Sequence, residues 1–346
     1  MRVREFEITE ASLEELCTEI RDIINQETED IIPDIEPKPD LYGIPDSVYS
    51  QITAALRAGK RHLILYGPPG TGKTTLAQYI AQELSSSGEY EMLTASSSWT
   101  SQELIGGYQP IGDGKIGFVP GAILRNFDRP IVIDELNRCP IDKVIGPLFS
   151  VLSGQATTLP YKLKLEDKDS PFHVIFPGVK ENPEENEWFP TKDWRLIATL
   201  NTVDKSQLGQ LSYALSRRFA WIKIGVPENL REFVLHFLGR EGETTLPNPI
   251  ADMWHAINKI RQIGGAPIID FIKTIKELDP GLDLLTQPDE HYQNLLLTAL
   301  GMYILPLLDG IRKSEAEEFI KNISDCWGLG DNKKEALKLE VNDIIV

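Results

Sequence analysis

The sequence predicts an α/β fold with a parallel five-stranded sheet flanked by helices, followed by an all-helical domain. Three observations predict it. Up to about residue 227, short apolar runs alternate with helical patterns, which is typical of a parallel sheet. A glycine-rich turn joins the first apolar run to a helix pattern. From residue 228 onward the apolar residues recur at helical spacing.

Composition and charge exclude several kinds of protein. The 346 residues carry a net charge of −17, so we expect no strong direct DNA binding by this chain alone. The three cysteines are far apart and form no metal-type pair, which fits a reducing cytoplasm. The acidic N-terminal segment is unlike a signal peptide, and no apolar stretch is long enough to cross a bilayer. We therefore expect a cytoplasmic protein without membrane association.

Residues 1–43 are predicted to form an acidic helix and a proline-rich linker. Ser12 and Glu15 make a capping box, and the apolar residues of this segment fall on one helical face. This helix either docks on the core or a neighbouring subunit, which we favour, or serves as a partner-binding arm. Prolines between residues 33 and 39 indicate extended chain, and a helix pattern from Pro45 leads into the first strand.

The turn at residues 67–74 reads GPPGTGKT and fits the phosphate-loop pattern GxxxxGK[ST] at every fixed position. An apolar strand, His62–Tyr66, precedes it and a helix pattern follows. Backbone N–H groups and the helix start would hold phosphate groups there, so the sequence predicts a nucleotide site. Lys73 would reach the β- and γ-phosphates, and the Thr74 hydroxyl would ligate Mg²⁺. The predicted nucleotide-binding residues are Gly67, Pro68, Pro69, Gly70, Thr71, Gly72, Lys73, Thr74 and Thr75.

An acidic pair follows another predicted strand. Residues 129–135 read RPIVIDE, which places Asp134 and Glu135 at the carboxyl edge of the sheet, where ligands of such folds bind. Asp134 would hold Mg²⁺, and Glu135 would orient and polarise the attacking water. The pair belongs beside the phosphate loop, with residues 90–95 as a further strand of the same sheet.

The next segments combine insertions with a third polar strand end. Hairpin patterns near 107–118 and 155–193 indicate two insertions, and residues 140–152 have a helical pattern. A strand at 194–201 would place Asn201 beside the γ-phosphate, where it could bind phosphate or water; the alternative is an ordinary turn cap.

A short helix at 208–215 and a strand at 220–224 complete the predicted sheet. Between them lie Arg217 and Arg218, which spacing alone would assign to the surface. Helical stripes then predict a lid domain at 228–346, after a nucleotide-binding domain at 44–227.

Four motifs together resemble AAA+ NTPases, in the group that holds McrB-type restriction motors, MoxR-type chaperones and dynein-related modules. They lie at 67–74, 134–138, 198–206 and 213–219. The last two are most similar to the McrB-type pattern, with departures at Leu200, Lys205 and Ser216. Lys205 lacks the planar fork of the family's arginine, which leaves that arginine's role unassigned.

The resemblance implies an AAA+ P-loop NTPase core with a lid, assembled as a homo-oligomer, a ring of six. It implies that Arg217 or Arg218 is an arginine finger acting on the neighbouring subunit, that Asn201 is a sensor, and that Arg138 lies at the interface. Both insertions would face the central channel or a partner. The implied cofactors are Mg²⁺ and ATP, with GTP left open. No second-sensor arginine is identified; Arg231, Arg261 and Arg312 remain open.

For function, the resemblance favours a McrB-like motor in restriction or anti-phage defence, which drives or licenses a companion subunit; a nuclease-bearing protein is one candidate. Since no DNA-reading domain precedes the motor, specificity would lie in that companion. The alternative is a MoxR-like chaperone ATPase that remodels or activates a partner protein. Glu135, Asn201 and the two arginines disfavour a scaffold that only binds nucleotide.

Overall fold

Apolar strands separated by helices form most of the first two-thirds of the chain. The computed structural model describes residues 32–112, 114–178, 180, 182–202 and 212–343. The chain divides into two compact units, Met1–Asp34 and Ile35–Val346, and every element given below belongs to the second. The predicted N-terminal helix lies outside the described residues.

Ten strands occur in the described part of the chain. They are β1 (His62–Gly67), β2 (Glu91–Thr94), β3 (Gly106–Gly112), β4 (Lys115–Pro120), β5 (Ile131–Asp134), β6 (Thr157–Lys162), β7 (Phe172–Ile175), β8 (Glu187–Trp188), β9 (Leu196–Asn201) and β10 (Phe219–Lys223).

Five of these strands make a parallel sheet in the order β10-β1-β9-β5-β2. The central strands carry continuous apolar runs, as expected where helices cover the sheet; Leu63, Ile64 and Leu65 of β1 have no exposed surface. The parallel five-stranded sheet predicted from the sequence is confirmed. The chain leaves the carboxyl ends of β1, β5 and β9 at one common edge.

The helices of the described chain are short in the sheet region and longer after it. They are α1 (Asp46–Arg57), α2 (Lys73–Glu83), α3 (Ser101–Leu104), α4 (Ala122–Arg125), α5 (Ile141–Val144), α6 (Tyr213–Ser216), α7 (Leu230–Leu238), α8 (Pro249–Ile260), α9 (Ala266–Leu278), α10 (Glu290–Tyr303), α11 (Lys313–Trp327) and α12 (Asp331–Asn342).

Both predicted hairpin insertions are present. β3 and β4 pair antiparallel, and β6 pairs antiparallel with β7. A capping box starts α3, where the Thr100 N–H donates to a Glu103 carboxylate oxygen at 2.7 Å. The short strand β8, which pairs parallel with β7, was not predicted. Two residues are too few to produce a periodic pattern.

The prediction of one continuous helix over residues 140–152 is wrong. α5 ends at Val144, and 3₁₀ turns follow at Gly146–Leu148 and Val151–Ser153. Pro147 has no N–H to donate, and its ring excludes the carbonyl one turn earlier, so the α-helix cannot continue. Five apolar side chains of this segment were expected to face inward. Four of them are buried, Val144, Ile145, Leu148 and Leu152, and Phe149 is half-buried.

The helix predicted at 208–215 falls mostly outside the described residues, and α6 is its described end. The Val203–Ser206 part of the third motif is outside them as well.

The residues after 228 are helical, as predicted. α7 to α12 enclose an apolar core that includes Phe233, Trp254, Phe271, Phe319 and Trp327. The most apolar stretch of the sequence, residues 295–308, forms the second part of α10 and a 3₁₀ turn at Leu305–Leu308. Among the described helices, none combines the length and apolarity needed to cross a membrane.

Candidate nucleotide-hydrolysis site

The predicted phosphate loop connects β1 to α2 at the carboxyl edge of the sheet. Gly70 and Gly72 have φ angles of 74° and 81°, a left-handed conformation that side chains disfavour. Gly72 is also the N-cap of α2, so the loop turns directly into the helix. Thr71 Oγ1 donates to the Pro68 carbonyl at 3.1 Å and braces the turn from within. The loop therefore presents its backbone to a ligand at the start of a helix.

Lys73 lies inside this loop. Its side chain is 5% exposed, and its Nζ donates to the carbonyls of Gly67 at 3.2 Å and Pro68 at 2.6 Å. Burial lowers the pKa of Lys73 to about 8, while the charges of Asp134 and Glu135 act in the opposite direction. A phosphate group beside the ammonium would favour the charged form again. The position is the one that the motif predicts for a phosphate-binding lysine.

Thr74 and Asp134 meet at the end of β5. The Thr74 hydroxyl donates to Asp134 Oδ1 at 2.8 Å, although the two residues are 60 positions apart. A hydroxyl and a carboxylate are the oxygen ligands that Mg²⁺ prefers, so this donor set fits the ion. No cluster of three or more histidine, cysteine or acidic residues suited to a metal occurs in the described chain.

Glu135 has an unusual backbone. With φ at 53°, it is the one non-glycine residue with positive φ among those described. Such a conformation costs about 1 kcal/mol or more and persists where surrounding contacts hold it. Its carboxylate pairs with Arg138 Nε at 2.7 Å, and Asn201 Nδ2 lies 3.5 Å from the other carboxylate oxygen. Both predicted partners of the chemistry, Glu135 and Asn201, therefore face each other.

Thr199 is the residue of this site that the sequence analysis missed. Its hydroxyl donates to Asp134 Oδ1 at 2.5 Å and accepts the Glu135 N–H at 3.0 Å, and the side chain is 2% exposed. One hydroxyl therefore fixes both members of the acidic pair. A signal was present in the sequence, since residues two apart on a strand share a face and Thr199 precedes Asn201 by two.

Asn201 is placed by strand pairing. It lies opposite Gly67 in the parallel pairing of β9 with β1, and the next N–H, of Thr202, donates to the Gly67 carbonyl at 3.0 Å. The end of β9 is thereby attached to the start of the phosphate loop. The alternative of an ordinary turn cap gives no account of the amide's position beside Glu135.

Arg138, predicted at a subunit interface, makes its ion pair within its own chain. The guanidinium is 59% exposed and the Glu135 carboxylate 25% exposed. An ion pair this exposed contributes less than about 1 kcal/mol to stability, but it does orient the carboxylate. Its interface role stays a prediction.

Arg217 and Arg218 lie at the opposite edge of the sheet. They precede Phe219, which pairs with His62 at the first residue of β1, whereas the phosphate loop follows the last. Six strand residues span about 20 Å, so these arginines are remote from the loop of their own chain.

The two arginines differ in their contacts. Arg218 donates Nε to the Phe149 carbonyl at 2.7 Å and Nη1 to the Ala214 carbonyl, and its guanidinium lies 5.1 Å from the centre of the Phe149 ring. Arg217 has an exposed side chain. The geometry therefore ties Arg218 to its own chain and presents Arg217 to solvent.

A cavity of 180 Å³ adjoins the phosphate loop. Segment 40–44, the loop and helices α7 and α9 line it, and Tyr42 stacks on His236 with ring centres 3.8 Å apart. Its walls are mostly apolar, with Ile44, Phe233 and Ile269 among them. An apolar slot beside a phosphate loop suits a nucleotide base.

The C-terminal helices are bonded directly to the phosphate loop. The Gly264 N–H donates to the Pro69 carbonyl at 2.8 Å, and the Ala266 N–H donates to the Gly70 carbonyl at 3.0 Å. A Cβ on Gly264 would lie 2.2 Å from the Gly70 carbonyl carbon, closer than any side chain tolerates. The helical region therefore contacts the phosphate loop through backbone hydrogen bonds. This contact also escaped the sequence analysis.

Fold and site together define a P-loop NTPase. The phosphate loop after the first strand, the acidic pair after β5 and the polar end of β9 converge at one edge of a parallel sheet. Residues 62–219 match the family model for the AAA domain of the dynein-related subfamily. The match covers a little less than half of the chain and includes the phosphate loop, the acidic pair and Asn201.

Known relatives are similar over just over half of the chain. Spastin of Drosophila mojavensis is 30% identical over 193 residues, which are 55% of this chain and 21% of the relative. Spastin of Drosophila melanogaster is 30% identical over 196 residues, again 21% of its length. The chain thus spans about a fifth of the curated relatives that it matches.

Solved structures align over most of the chain at low identity. A mutant RuvB of Thermotoga maritima aligns with a TM-score of 0.43 and 18% identity, over 87% of this chain and 85% of its own. NtrX of Brucella abortus in complex with ATP aligns with a TM-score of 0.42 and 16% identity, over 97% and 74%.

Proposed function

We propose that this chain is a ring-forming AAA+ NTPase that hydrolyses ATP, or GTP, with Mg²⁺ and so drives or licenses a companion protein subunit. The observation that carries the proposal is the shared network in which the Thr74 and Thr199 hydroxyls both donate to Asp134 Oδ1 and the Glu135 N–H donates to the Thr199 hydroxyl. A scaffold that only bound nucleotide would need the loop but not this arrangement of acid, base and hydroxyls.

The residues divide the work as follows. Loop backbone and Lys73 bind the phosphates, and Thr74 with Asp134 would hold Mg²⁺, which neutralises charge on the phosphates when bound. Glu135 accepts a proton from the attacking water, and Asn201 keeps the carboxylate and water in place. The apolar slot beside segment 40–44 takes the base.

We assign the arginine finger to Arg217. The Arg218 guanidinium is committed to carbonyls of its own chain, whereas Arg217 is exposed at the edge far from its own loop. An arginine there can act on a nucleotide only in a second copy of the chain, which supports the ring, expected to hold six subunits.

For the biological role, the McrB-like motifs favour a cytoplasmic motor in restriction or anti-phage defence, with a partner subunit that carries the nuclease or the DNA specificity. Direct DNA binding by this chain would be weak, given its −17 charge. The second candidate is a MoxR-like chaperone ATPase. The β3–β4 hairpin favours it, because Ile111 and Ile116 are 58% and 54% exposed, and such apolar side chains suit contact with a protein.

The test combines binding with hydrolysis. Lys73→Ala should abolish nucleotide binding, and Glu135→Gln should keep binding but lose hydrolysis; calorimetry and phosphate release with ATP and with GTP measure both. Arg217→Ala should bind normally and hydrolyse about 10³-fold more slowly. Mixing it with Lys73→Ala should restore activity, since each supplies what the other lacks. A monomer whose turnover per molecule is independent of protein concentration would refute the assignment.

A further inference from the structure

A second concave site lies at the sheet edge opposite the phosphate loop. It is a cavity of 430 Å³ between the α1–β1 turn, the turn at Gly154 and the residues before β10. Four cations line it: Lys60, Arg61, Arg217 and Arg218. Among the described residues that line it, none is acidic. We call it the basic cavity.

Acidic side chains do not neutralise these four cations. The described ion pairs involve none of them. Lys60 Nζ donates to the Arg217 carbonyl at 2.8 Å, and Arg61 Nη2 donates to the Lys192 carbonyl at 3.1 Å. Among the described contacts, Arg61 bonds through Nη2 alone and Lys60 Nζ makes one bond, whereas Arg218 uses both Nε and Nη1. Lys60 and Arg61 therefore keep N–H groups for a ligand, in a chain with net charge −17. Four positive charges gathered in one cavity of an acidic chain favour an anionic ligand.

Neighbouring groups respond to that positive field. His62, 1% exposed next to the cavity, has a pKa lowered to about 3, first by burial and then by the charges of Arg61 and Arg195. Burial and the charge of Arg217 likewise lower the pKa of Arg218. Arg217 and Arg218 therefore repel each other at this edge, and an anion in the cavity would relieve the repulsion.

We infer that the basic cavity binds an oligophosphate, and that Lys60 and Arg61 join Arg217 in holding the triphosphate of a nucleotide bound by a second copy of this chain. The trans arrangement rests on the proposed function; oligophosphate binding by the cavity does not. Lys60, Arg61 and Arg217 converge, with Arg218 beside them, on a cavity large enough for a phosphate chain. A flexible lysine ammonium and planar arginine guanidinium groups both bind phosphate oxygens well.

The test removes charge while keeping hydrogen-bond donors. The double variant Lys60→Gln, Arg61→Gln removes both charges and keeps an amide donor at each position. The matched control is Lys313→Gln, Lys321→Gln, which removes two exposed charges from α11. We expect the protein concentration for half-maximal hydrolysis to rise about tenfold in the first variant, as charge-assisted contacts are lost, and to stay unchanged in the control.

A second arm is independent of assembly. Tripolyphosphate is titrated calorimetrically into Lys73→Ala, whose phosphate loop has lost its cation, and into the same protein with Lys60→Gln and Arg61→Gln added. If Lys73→Ala binds tripolyphosphate and the triple variant does not, the basic cavity is the binding site. If, in addition, hydrolysis by the wild type does not depend on protein concentration, the ligand is a free oligophosphate and only the trans arrangement is refuted. If the Lys60, Arg61 variant matches its control in both arms, the inference is overturned while the proposed function stands.

Discussion

The Thr199 hydroxyl offers the sharpest test of how the hydrolysis site is held together. Thr199→Val keeps the shape of the side chain and removes the one oxygen that serves both acidic residues. The Glu135 N–H then has no acceptor from this side chain in a place where the threonine is 2% exposed. Asp134 retains the Thr74 hydroxyl at 2.8 Å. The substitution therefore removes only the hydrogen bonds that the Thr199 hydroxyl makes with Asp134 and with the Glu135 N–H.

The magnitude follows from the cost of an unsatisfied group. Leaving a buried N–H unpaired costs about 1–3 kcal/mol, and the partly solvated carboxylate adds little, so we expect the free energy of unfolding to fall by about 2 kcal/mol. Hydrolysis should suffer more than binding, because the lost bond also holds Glu135 at its positive φ. We expect kcat to fall at least about tenfold, which is 1.4 kcal/mol, with KM changed less.

Urea denaturation and steady-state phosphate release measure the two effects. Thr199→Ser is the control, since it keeps the hydroxyl and loses a methyl group, at a cost of about 1 kcal/mol in stability. Serine should therefore retain activity where valine does not. Equal losses of kcat in the two variants would show that packing, and not the shared hydroxyl, positions the acidic pair.

Three further predictions concern other contacts. Arg138→Ala should lower the free energy of unfolding by less than about 1 kcal/mol, because its ion pair with Glu135 is exposed; urea denaturation compares it with Thr199→Val. Gly264→Ala should weaken nucleotide binding at least about tenfold by calorimetry, because its Cβ would displace the phosphate-loop backbone, a steric cost of about 1–3 kcal/mol. His62 should destabilise the fold in acid: its folded pKa of about 3 lies below the ordinary 6.5, so the unfolded chain binds the proton first and stability falls as pH drops below 6.5. Between pH 6.5 and 4.5 that loss should be about 2 kcal/mol, and His62→Asn should reduce it in urea titrations.

Each of these has an outcome that contradicts it. A loss of 2 kcal/mol or more in Arg138→Ala would mean that the pair is shielded from water. Gly330→Ala is the control for Gly264, since a Cβ there meets nothing within 4 Å; equal affinities in the two variants would show that the loop tolerates displacement. An acid profile of His62→Asn identical to that of the wild type would assign the acid sensitivity to other groups.

Much of the fold and half of the site could be predicted from the sequence. The GPPGTGKT turn, the apolar run before it and the acidic pair after β5 are local patterns, because a phosphate loop needs fixed residue types at consecutive positions. The five parallel strands followed from apolar runs of strand length, and the C-terminal helices from their period. The spacing of apolar residues predicted a continuous helix over residues 140–152. Pro147 cannot donate a backbone N–H, so the helix is interrupted there in spite of that spacing.

The tertiary structure decided which of these residues touch. Thr74 and Asp134 are 60 residues apart, and Asn201 is 66 residues from Glu135. Only the register of parallel strands brings such pairs to one edge, and a register is a property of the paired backbones, which no short stretch of sequence contains.

The same holds for contacts made by backbone or by cations. The Gly264 N–H donates to the Pro69 carbonyl, and Lys60 and Arg61 meet Arg217 because β1 and β10 are neighbours in the sheet. Almost every residue carries the same backbone N–H and carbonyl groups, so the sequence does not show which of them will pair. Nor does the sequence show which charged side chains will be neighbours in the fold. The sequence by itself therefore determined the chemistry at the phosphate loop, while the fold alone determined what that chemistry is connected to.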